Sequence, residues 1–167
     1  MKTRAVFLGF GARAQCYANY LFSNENTFEV AAVAEPKPYL QELAREKYGC
    51  PAERVYHDWE DLVAHGVLGD ILFVCTQDNC HVEPAIAAMK AGYKNIMIEK
   101  PIDKDIDACK RLAAAEKEYG ARVQVCHSLR YTNFYRRVKE VIDSGKLGKI
   151  VSINHIEPVG TFHYAHS

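Results

Sequence analysis

Two glycines near the N-terminus, Gly9 and Gly11, precede a small residue, Ala14, in the pattern Gly-x-Gly-x-x-Ala. An apolar run from Ala5 to Leu8 comes before them, and a stretch without Pro or Gly follows, which indicates a buried strand, a tight turn and a helix. Gly9 permits the turn, Gly11 lets the backbone approach a bulky anion, and Ala14 lets the helix pack close to the strand. The helix N-terminus adds free N–H groups and partial positive charge, so the pattern predicts a pyrophosphate site. Packing alone also places small residues at such turns.

A carboxylate, Glu35, ends the second apolar run, about twenty residues beyond the glycine turn. A carboxylate at that point accepts hydrogen bonds from both hydroxyls of an adenosine ribose, which favours NAD over NADP. Lys37 lies close by and is able to tolerate a ribose phosphate, so NADP stays open. The simpler alternative is a solvated acid at a strand end.

A polar loop, Thr76 to His81, follows the fourth apolar run. It falls at the edge of the predicted sheet where ligands bind and directly precedes a helix. Taken alone, it is better explained as a capping loop, in which Asp78 or Asn79 caps the helix and His81 lies in the first turn.

The fifth apolar run ends in Glu99-Lys100-Pro101. A lysine above a pocket serves as a proton donor or acceptor when its surroundings lower its pKa toward neutrality, and Glu99 could hold it in place. Pro101 fixes the backbone beside the lysine and is a candidate for a cis peptide bond. A surface Glu-Lys pair is the alternative without a function.

Short apolar runs alternate with amphipathic helices up to about His127. Strands are predicted at 5–8, 29–35, 54–56, 70–76, 95–99 and 122–126. Strands separated by single helices require a parallel sheet with right-handed crossovers, and runs this apolar are covered on both faces. The sequence therefore predicts an α/β fold with a doubly wound parallel sheet, a Rossmann-type dinucleotide-binding domain over residues 1–127.

The pattern changes after His127. A long amphipathic helix is predicted over 131–144, and residues 149–156 alternate with period two, which is typical of a half-exposed strand. Residues 128–167 are predicted to be a linking helix and the first strand of a second α/β domain that is cut off.

Composition excludes several function classes. Lys plus Arg and Asp plus Glu both number 21, so the formal net charge of zero shows no bias toward nucleic acid or an anionic membrane. No apolar run approaches the length of a membrane span, and the N-terminus does not resemble a signal peptide, so the cytoplasm is the expected compartment. The six cysteines are expected to be reduced. Neither Cys75, Cys80 and His81 nor the terminal His163 and His166 match a zinc pattern, so no metal site is predicted.

The chain resembles the Gfo/Idh/MocA family of NAD(P)-dependent oxidoreductases, named for glucose-fructose oxidoreductase, inositol 2-dehydrogenase and a rhizopine-catabolism protein. The resemblance covers essentially the whole chain. It rests on the glycine turn 9–14, Glu35, the 76–81 loop, Glu99-Lys100-Pro101 and the Ser-Gly-Lys-Leu-Gly-Lys-Ile segment 144–150. The last two are the more specific.

The resemblance implies a role for each motif in hydride transfer between nicotinamide and a sugar, a polyol or a similar alcohol. Lys100 would be the catalytic lysine that exchanges the hydroxyl proton with the substrate. The implied cofactor-binding residues are Gly9, Phe10, Gly11, Ala12, Arg13, Ala14, Glu35, Thr76, Asp78, His81, Glu99, Lys100 and Arg130. The first six would cradle the pyrophosphate, Glu35 would contact the adenosine ribose, and Thr76, Asp78 and His81 would border the nicotinamide. Glu99 and Arg130 would lie near the cofactor.

The chain departs from the family pattern in two ways. Gln77 stands where the family usually has Pro. Family members also continue into a substrate domain that supplies most substrate contacts and usually the oligomer interface. We therefore expect a homo-oligomer and little activity from these 167 residues alone. A dinucleotide-binding module without catalysis, or a regulatory protein that keeps only the fold, are the alternatives.

Overall fold

The computed structural model describes residues 1–24, 26–158 and 160–161. The chain divides into two compact units, Met1–His127 and Ser128–Ser167. The division falls at the residue where the sequence pattern changes.

The first unit is built on one sheet of six strands, all of them parallel. The strands are β1 (Thr3–Leu8), β2 (Phe28–Ala34), β3 (Val55–Tyr56), β4 (Ile71–Val74), β5 (Asn95–Ile98) and β6 (Arg122–Val125). Their order in the sheet is β3-β2-β1-β4-β5-β6, so the direction of winding reverses between β1 and β4. This confirms the predicted doubly wound α/β fold, in which ligands bind at the carboxyl ends of the strands beside the reversal.

Five helices connect these strands. They are α1 (Ala12–Ser23), α2 (Pro38–Glu46), α3 (Trp59–Ala64), α4 (Val82–Ala91) and α5 (Ile106–Tyr119), and a short 3-10 turn at Ala52–Arg54 precedes β3. The N-terminus of α3 is capped, because the Asp58 carboxylate accepts a hydrogen bond from the Asp61 N–H at 2.8 Å. Such a cap satisfies an N–H group that has no partner inside the helix.

The core lies on both faces of the sheet. Successive β1 residues point to opposite sides, so Ala5 and Phe7 pack with α1 and α2 while Val6 and Leu8 pack with α3 and α4. All four are at most 1% exposed, and burying a large apolar side chain contributes about 1.5–3 kcal/mol. The central strand is therefore held rigidly, and it delivers the glycine turn to a fixed position at the sheet edge.

The second unit contains a short 3-10 turn (Ser128–Tyr131) and α6 (Asn133–Asp143). This helix begins later than predicted because Thr132 caps it, its hydroxyl accepting from the Tyr135 N–H at 3.5 Å. The strand predicted at 149–156 is absent, since residues 149–158 have no regular secondary structure. A strand needs a hydrogen-bonded neighbour, and the described part of this unit contains none. His163 and His166 lie outside the described residues.

No helix in the described ranges has both the length and the apolar character that a crossing of the bilayer requires.

Candidate functional site

Gly9 forms a turn that is strained for any residue with a side chain. Its φ is +82°, and a Cβ at this position would lie 2.6 Å from the carbonyl oxygen of Cys75. Its N–H donates to the Ala34 carbonyl at 2.8 Å, which ties the turn to the end of β2. The turn is thus pressed between the ends of β2 and β4, on either side of the point where the sheet winding reverses.

Gly11 serves a different purpose from Gly9. It has an ordinary negative φ of −67°, and a Cβ added there would meet nothing within 4 Å. It stands at the N-terminus of α1, where no side chain caps the helix. Free N–H groups, the positive end of the helix dipole and open space above a glycine together make a cradle for an anion. The residues present therefore fit a dinucleotide pyrophosphate.

A cavity of about 530 Å³ opens beside this turn, at the carboxyl ends of β1, β2 and β4. Its volume is in the range of cofactor and ligand sites. Its lining comes from the glycine turn, the segment after β2, the start of α3 and the loop after β4: Gly9, Gly11, Ala34, Glu35, Pro36, Lys37, Leu40, His57, Asp58, Trp59, Glu60, Cys75, Thr76, Gln77 and Cys80. His57 and Trp59, which the sequence did not single out, belong to this wall.

Glu35 is 5% exposed and accepts two backbone hydrogen bonds. One carboxylate oxygen accepts from the Phe10 N–H at 2.8 Å and the other accepts from the Lys37 N–H at 3.0 Å. The carboxylate therefore fastens the glycine turn to the end of β2. Each oxygen keeps a second lone pair, so the same group can accept hydroxyls of a ribose in the cavity it lines.

The loop after β4 places two of the predicted site residues, Thr76 and Asp78, in different environments. Thr76 is half-buried on the cavity wall, and its hydroxyl donates to the Cys80 carbonyl at 2.6 Å. Asp78 is exposed, and neither it nor Asn79 caps α4, whose first flanking residue is His81. The capping interpretation of this loop is therefore wrong in its detail.

His81 is completely buried, away from the open part of the cavity. Its Nδ1 lies 2.7 Å from the Pro101 carbonyl oxygen and its Nε2 lies 3.0 Å from that of Thr76. Carbonyl oxygens only accept, so a neutral ring satisfies one of them and an imidazolium satisfies both. The ring ties the loop after β4 to the loop after β5, and His81 is not among the residues that line the cavity, so its predicted place beside the nicotinamide stays a prediction.

Glu99 and Lys100 follow β5 and point to different environments. Lys100 is exposed, and its N–H donates to a Glu99 carboxylate oxygen at 3.2 Å; its peptide bond to Pro101 is cis. Glu99 is 7% exposed, and its other oxygen lies 3.6 Å from Nε of Arg13. The buried carboxylate thus connects the helix of the glycine turn to the backbone of the lysine.

Tyr17 also contacts Glu99, and the sequence did not indicate it. The Tyr17 hydroxyl donates to Glu99 Oε1 and contacts the Cys126 sulfur at the end of β6. Burial, then the hydrogen bonds to Cys126 and Glu99, raise the pKa of Tyr17 well above its usual range. An aromatic residue inside an amphipathic helix is usually read as core, so spacing alone offered no signal for this contact.

Two further predictions from the sequence concern Arg130 and the cysteines. Arg130 lies in the 3-10 turn of the second unit, so its cofactor role stays a prediction. All six cysteines are free thiols, and no cluster of three or more His, Cys, Asp or Glu side chains suited to a metal ion occurs within residues 1–24, 26–158 and 160–161.

Residues 3–127 match the GFO_IDH_MocA family model, described as an oxidoreductase family with an NAD-binding Rossmann fold. Inositol 2-dehydrogenase of Salmonella typhimurium is 28% identical over 155 residues, which cover 92% of this chain and 45% of that protein. Inositol 2-dehydrogenase of Burkholderia vietnamiensis is 34% identical over 142 residues, covering 84% and 41%. The solved myo-inositol 2-dehydrogenase of Lactobacillus plantarum has a TM-score of 0.81 and 26% identity, covering 90% and 44%. The chain therefore spans less than half the length of these relatives.

Proposed function

Because this chain belongs to the Gfo/Idh/MocA oxidoreductase family, with its NAD-binding Rossmann fold, we propose that it is the cofactor-binding part of a dehydrogenase. The reaction is reversible hydride transfer between nicotinamide and a sugar, a polyol or a similar alcohol. Inositol, a cyclic polyol, is the substrate named for the relatives, which supports this substrate class. The observation that carries the proposal is the open cradle at Gly11, beside a cavity that Glu35 and Thr76 also line.

Residues on the two sides of the sheet reversal bind the two halves of the dinucleotide. The first-turn N–H groups at Ala12 and Arg13 hold the pyrophosphate, whereas the Phe10 N–H is already taken by Glu35. Glu35 accepts the hydroxyls of the adenosine ribose, which favours NAD, and Lys37 beside it leaves NADP usable. Thr76 and Asp78 border the nicotinamide half, on the β4 side of the reversal.

Lys100 handles the proton of the substrate. The bound nicotinamide supplies the acceptor or donor of the hydride. As an alcohol is oxidised, the neutral Lys100 amine accepts the hydroxyl proton, and in the reverse direction the ammonium returns it to the carbonyl oxygen. Lys100 is exposed at the end of β5, so a substrate can reach its Nζ atom, and Glu99 holds its backbone.

Cofactor binding is tested with the chain's single tryptophan, Trp59, which lines the cavity. We expect NADH to quench its emission by energy transfer to the reduced nicotinamide, with NADPH binding more weakly. Glu35→Ala should weaken NADH binding at least tenfold, because it removes both the ribose acceptor and the tie to the glycine turn. Tyr39→Phe, at an exposed position on α2, is the control. A saturating NADH titration without any quenching would contradict the proposal.

A binding module without catalysis is the second candidate. It is favoured by the family match over residues 3–127, which is described by its NAD-binding fold and assigns no substrate contacts. Orienting the substrate supplies a large share of an enzyme's rate, so these residues by themselves would bind the cofactor and turn over slowly.

The second unit carries exposed apolar surface, which favours self-association. One side of α6 and the segment after it form an apolar groove of about 390 Å³, lined by Phe134, Arg137, Val138, Val141, Ile142, Leu147, Ile150, Ser152 and Ile153. Phe134 is 68% exposed and Ile153 75%. Contiguous exposed apolar surface drives association, so we propose a homo-oligomer built on this groove.

Light scattering tests the oligomer. We expect this chain to elute above its monomer mass, and Phe134→Asp together with Val138→Glu to shift it toward the monomer. The matched control is Arg136→Glu, also on α6 but outside the groove lining. A wild-type chain that remains monomeric across a concentration series would contradict this prediction.

A further inference from the structure

The Tyr17 hydroxyl joins three elements that are far apart in sequence. It projects from α1, contacts Glu99 after β5 and Cys126 after β6, and so spans 82 and 109 positions of the chain. The ring also packs on Phe73 of β4, with centroids 5.3 Å apart. A side chain used only for packing would not need an oxygen at this place, because the ring alone fills the space.

The direction of the hydrogen bond follows from chemistry. An ionised carboxylate only accepts, so the Tyr17 O–H donates to Glu99, and the tyrosine oxygen remains free to accept from the Cys126 thiol. Glu99 is 7% exposed, and a buried carboxylate is costly unless each oxygen has partners. Tyr17 and Arg13 serve one oxygen and the Lys100 N–H serves the other.

Two members of this cluster, Glu99 and Cys126, lie on the far side of the sheet reversal from the glycine turn. Glu99 and Cys126 follow β5 and β6, beyond β4, whereas the glycine turn and Glu35 belong to β1 and β2. A dinucleotide in this fold crosses the reversal, with adenosine over β1 and β2 and the other half over β4 and β5. Whatever fixes Glu99 therefore acts on the nicotinamide half.

We propose that Tyr17 is a positioning residue, whose hydroxyl holds the Glu99 carboxylate and thereby sets Arg13 and the Lys100 backbone for the nicotinamide half of the dinucleotide. This inference rests on the proposed function. It assigns Tyr17 no contact with the cofactor and no part in the chemistry of hydride transfer.

Calorimetry with two probes, NADH and ADP-ribose, tests the inference. The two molecules differ only in the nicotinamide ring, which ADP-ribose lacks. We expect Tyr17→Phe to raise the Kd of NADH about five- to twentyfold, in line with the loss of a hydrogen bond to a charged group. The Kd of ADP-ribose should change less than about twofold, because ADP-ribose lacks the nicotinamide ring that lies on the Glu99 side of the reversal. Tyr20→Phe, on the same helix and 65% exposed, should change neither.

A double-mutant cycle tests whether Tyr17 acts through Glu99. In a Glu99→Ala background the hydroxyl has no carboxylate to hold, so adding Tyr17→Phe should leave the ratio of the two Kd values unchanged. The inference is overturned if Tyr17→Phe weakens both probes equally, as a purely structural residue would, or weakens neither. It is also overturned if the two substitutions have independent effects. A wild-type chain that binds ADP-ribose but not NADH would instead contradict the proposed function.

Discussion

Replacing Gly11 with alanine is expected to abolish cofactor binding while the fold stays intact. A Cβ at this position meets no protein atom within 4 Å, and the backbone φ of −67° suits any residue. The added methyl group would instead occupy the space above the helix N-terminus that the pyrophosphate needs. We expect the Kd of NADH to rise at least about a hundredfold, because the anion loses its close approach to the N–H groups.

Replacing Gly9 with alanine should instead lower the stability of the fold. The φ of +82° is unfavourable for a residue with a side chain, and the Cβ would lie 2.6 Å from the Cys75 carbonyl oxygen. Left-handed backbone costs about 1–2 kcal/mol and overpacking about 1–3 kcal/mol, so the free energy of unfolding should fall by about 2–5 kcal/mol.

Thermal unfolding and NADH titration, run on both variants, distinguish the two glycines. The Tm of Gly11→Ala should stay within about 2 °C of the wild type, while that of Gly9→Ala should drop by about 5–15 °C. Gly49→Ala is the matched control for positive φ, since its φ is +69° and no atom lies within 4 Å of a Cβ there. If Gly11→Ala bound NADH as the wild type does, the cradle would not be the pyrophosphate site.

Replacing Lys100 with methionine is expected to reduce turnover far more than cofactor binding. Methionine keeps the length of the side chain and deletes the group that exchanges a proton with the substrate hydroxyl. General acid–base groups contribute about 10²–10⁴-fold, so NAD⁺ reduction with a polyol should fall by at least about a hundredfold. The Lys100 backbone N–H, which donates to Glu99, is unaffected by the change.

NADH formation from NAD⁺ and a panel of cyclic and linear polyols measures this effect, with long incubations because the chain alone is expected to work slowly. Lys104→Met is the control, because Lys104 is also exposed and follows in the same loop. Turnover that survives in Lys100→Met would exclude Lys100 as the proton carrier. Tight NADH binding with no turnover in the wild-type chain would favour the module without catalysis.

The sequence alone determined the local order of the first unit and the place of its ligand edge. Apolar strands alternating with single helices admit few arrangements other than a parallel sheet, and the glycine spacing located the anion-binding turn directly after the first strand. The strand order, and with it the reversal beside this turn, came from the structure. The prediction of a strand at 149–156 was wrong. Alternating apolar and polar residues suit a segment that pairs in a sheet, but a strand also requires a hydrogen-bonded neighbouring strand.

Only the tertiary structure decided which side chains act together. The carboxylate of Glu35 secures the Phe10 N–H, the His81 ring is buried between two loops, and Tyr17 reaches Glu99 across 82 positions. Hydrogen bonds of this kind depend on how the helices lie against the sheet, and that placement does not follow from spacing along the chain. The glycine pattern predicted an anion cradle. The packing showed that the fold requires a glycine at position 9, whereas Gly11 leaves room for a ligand.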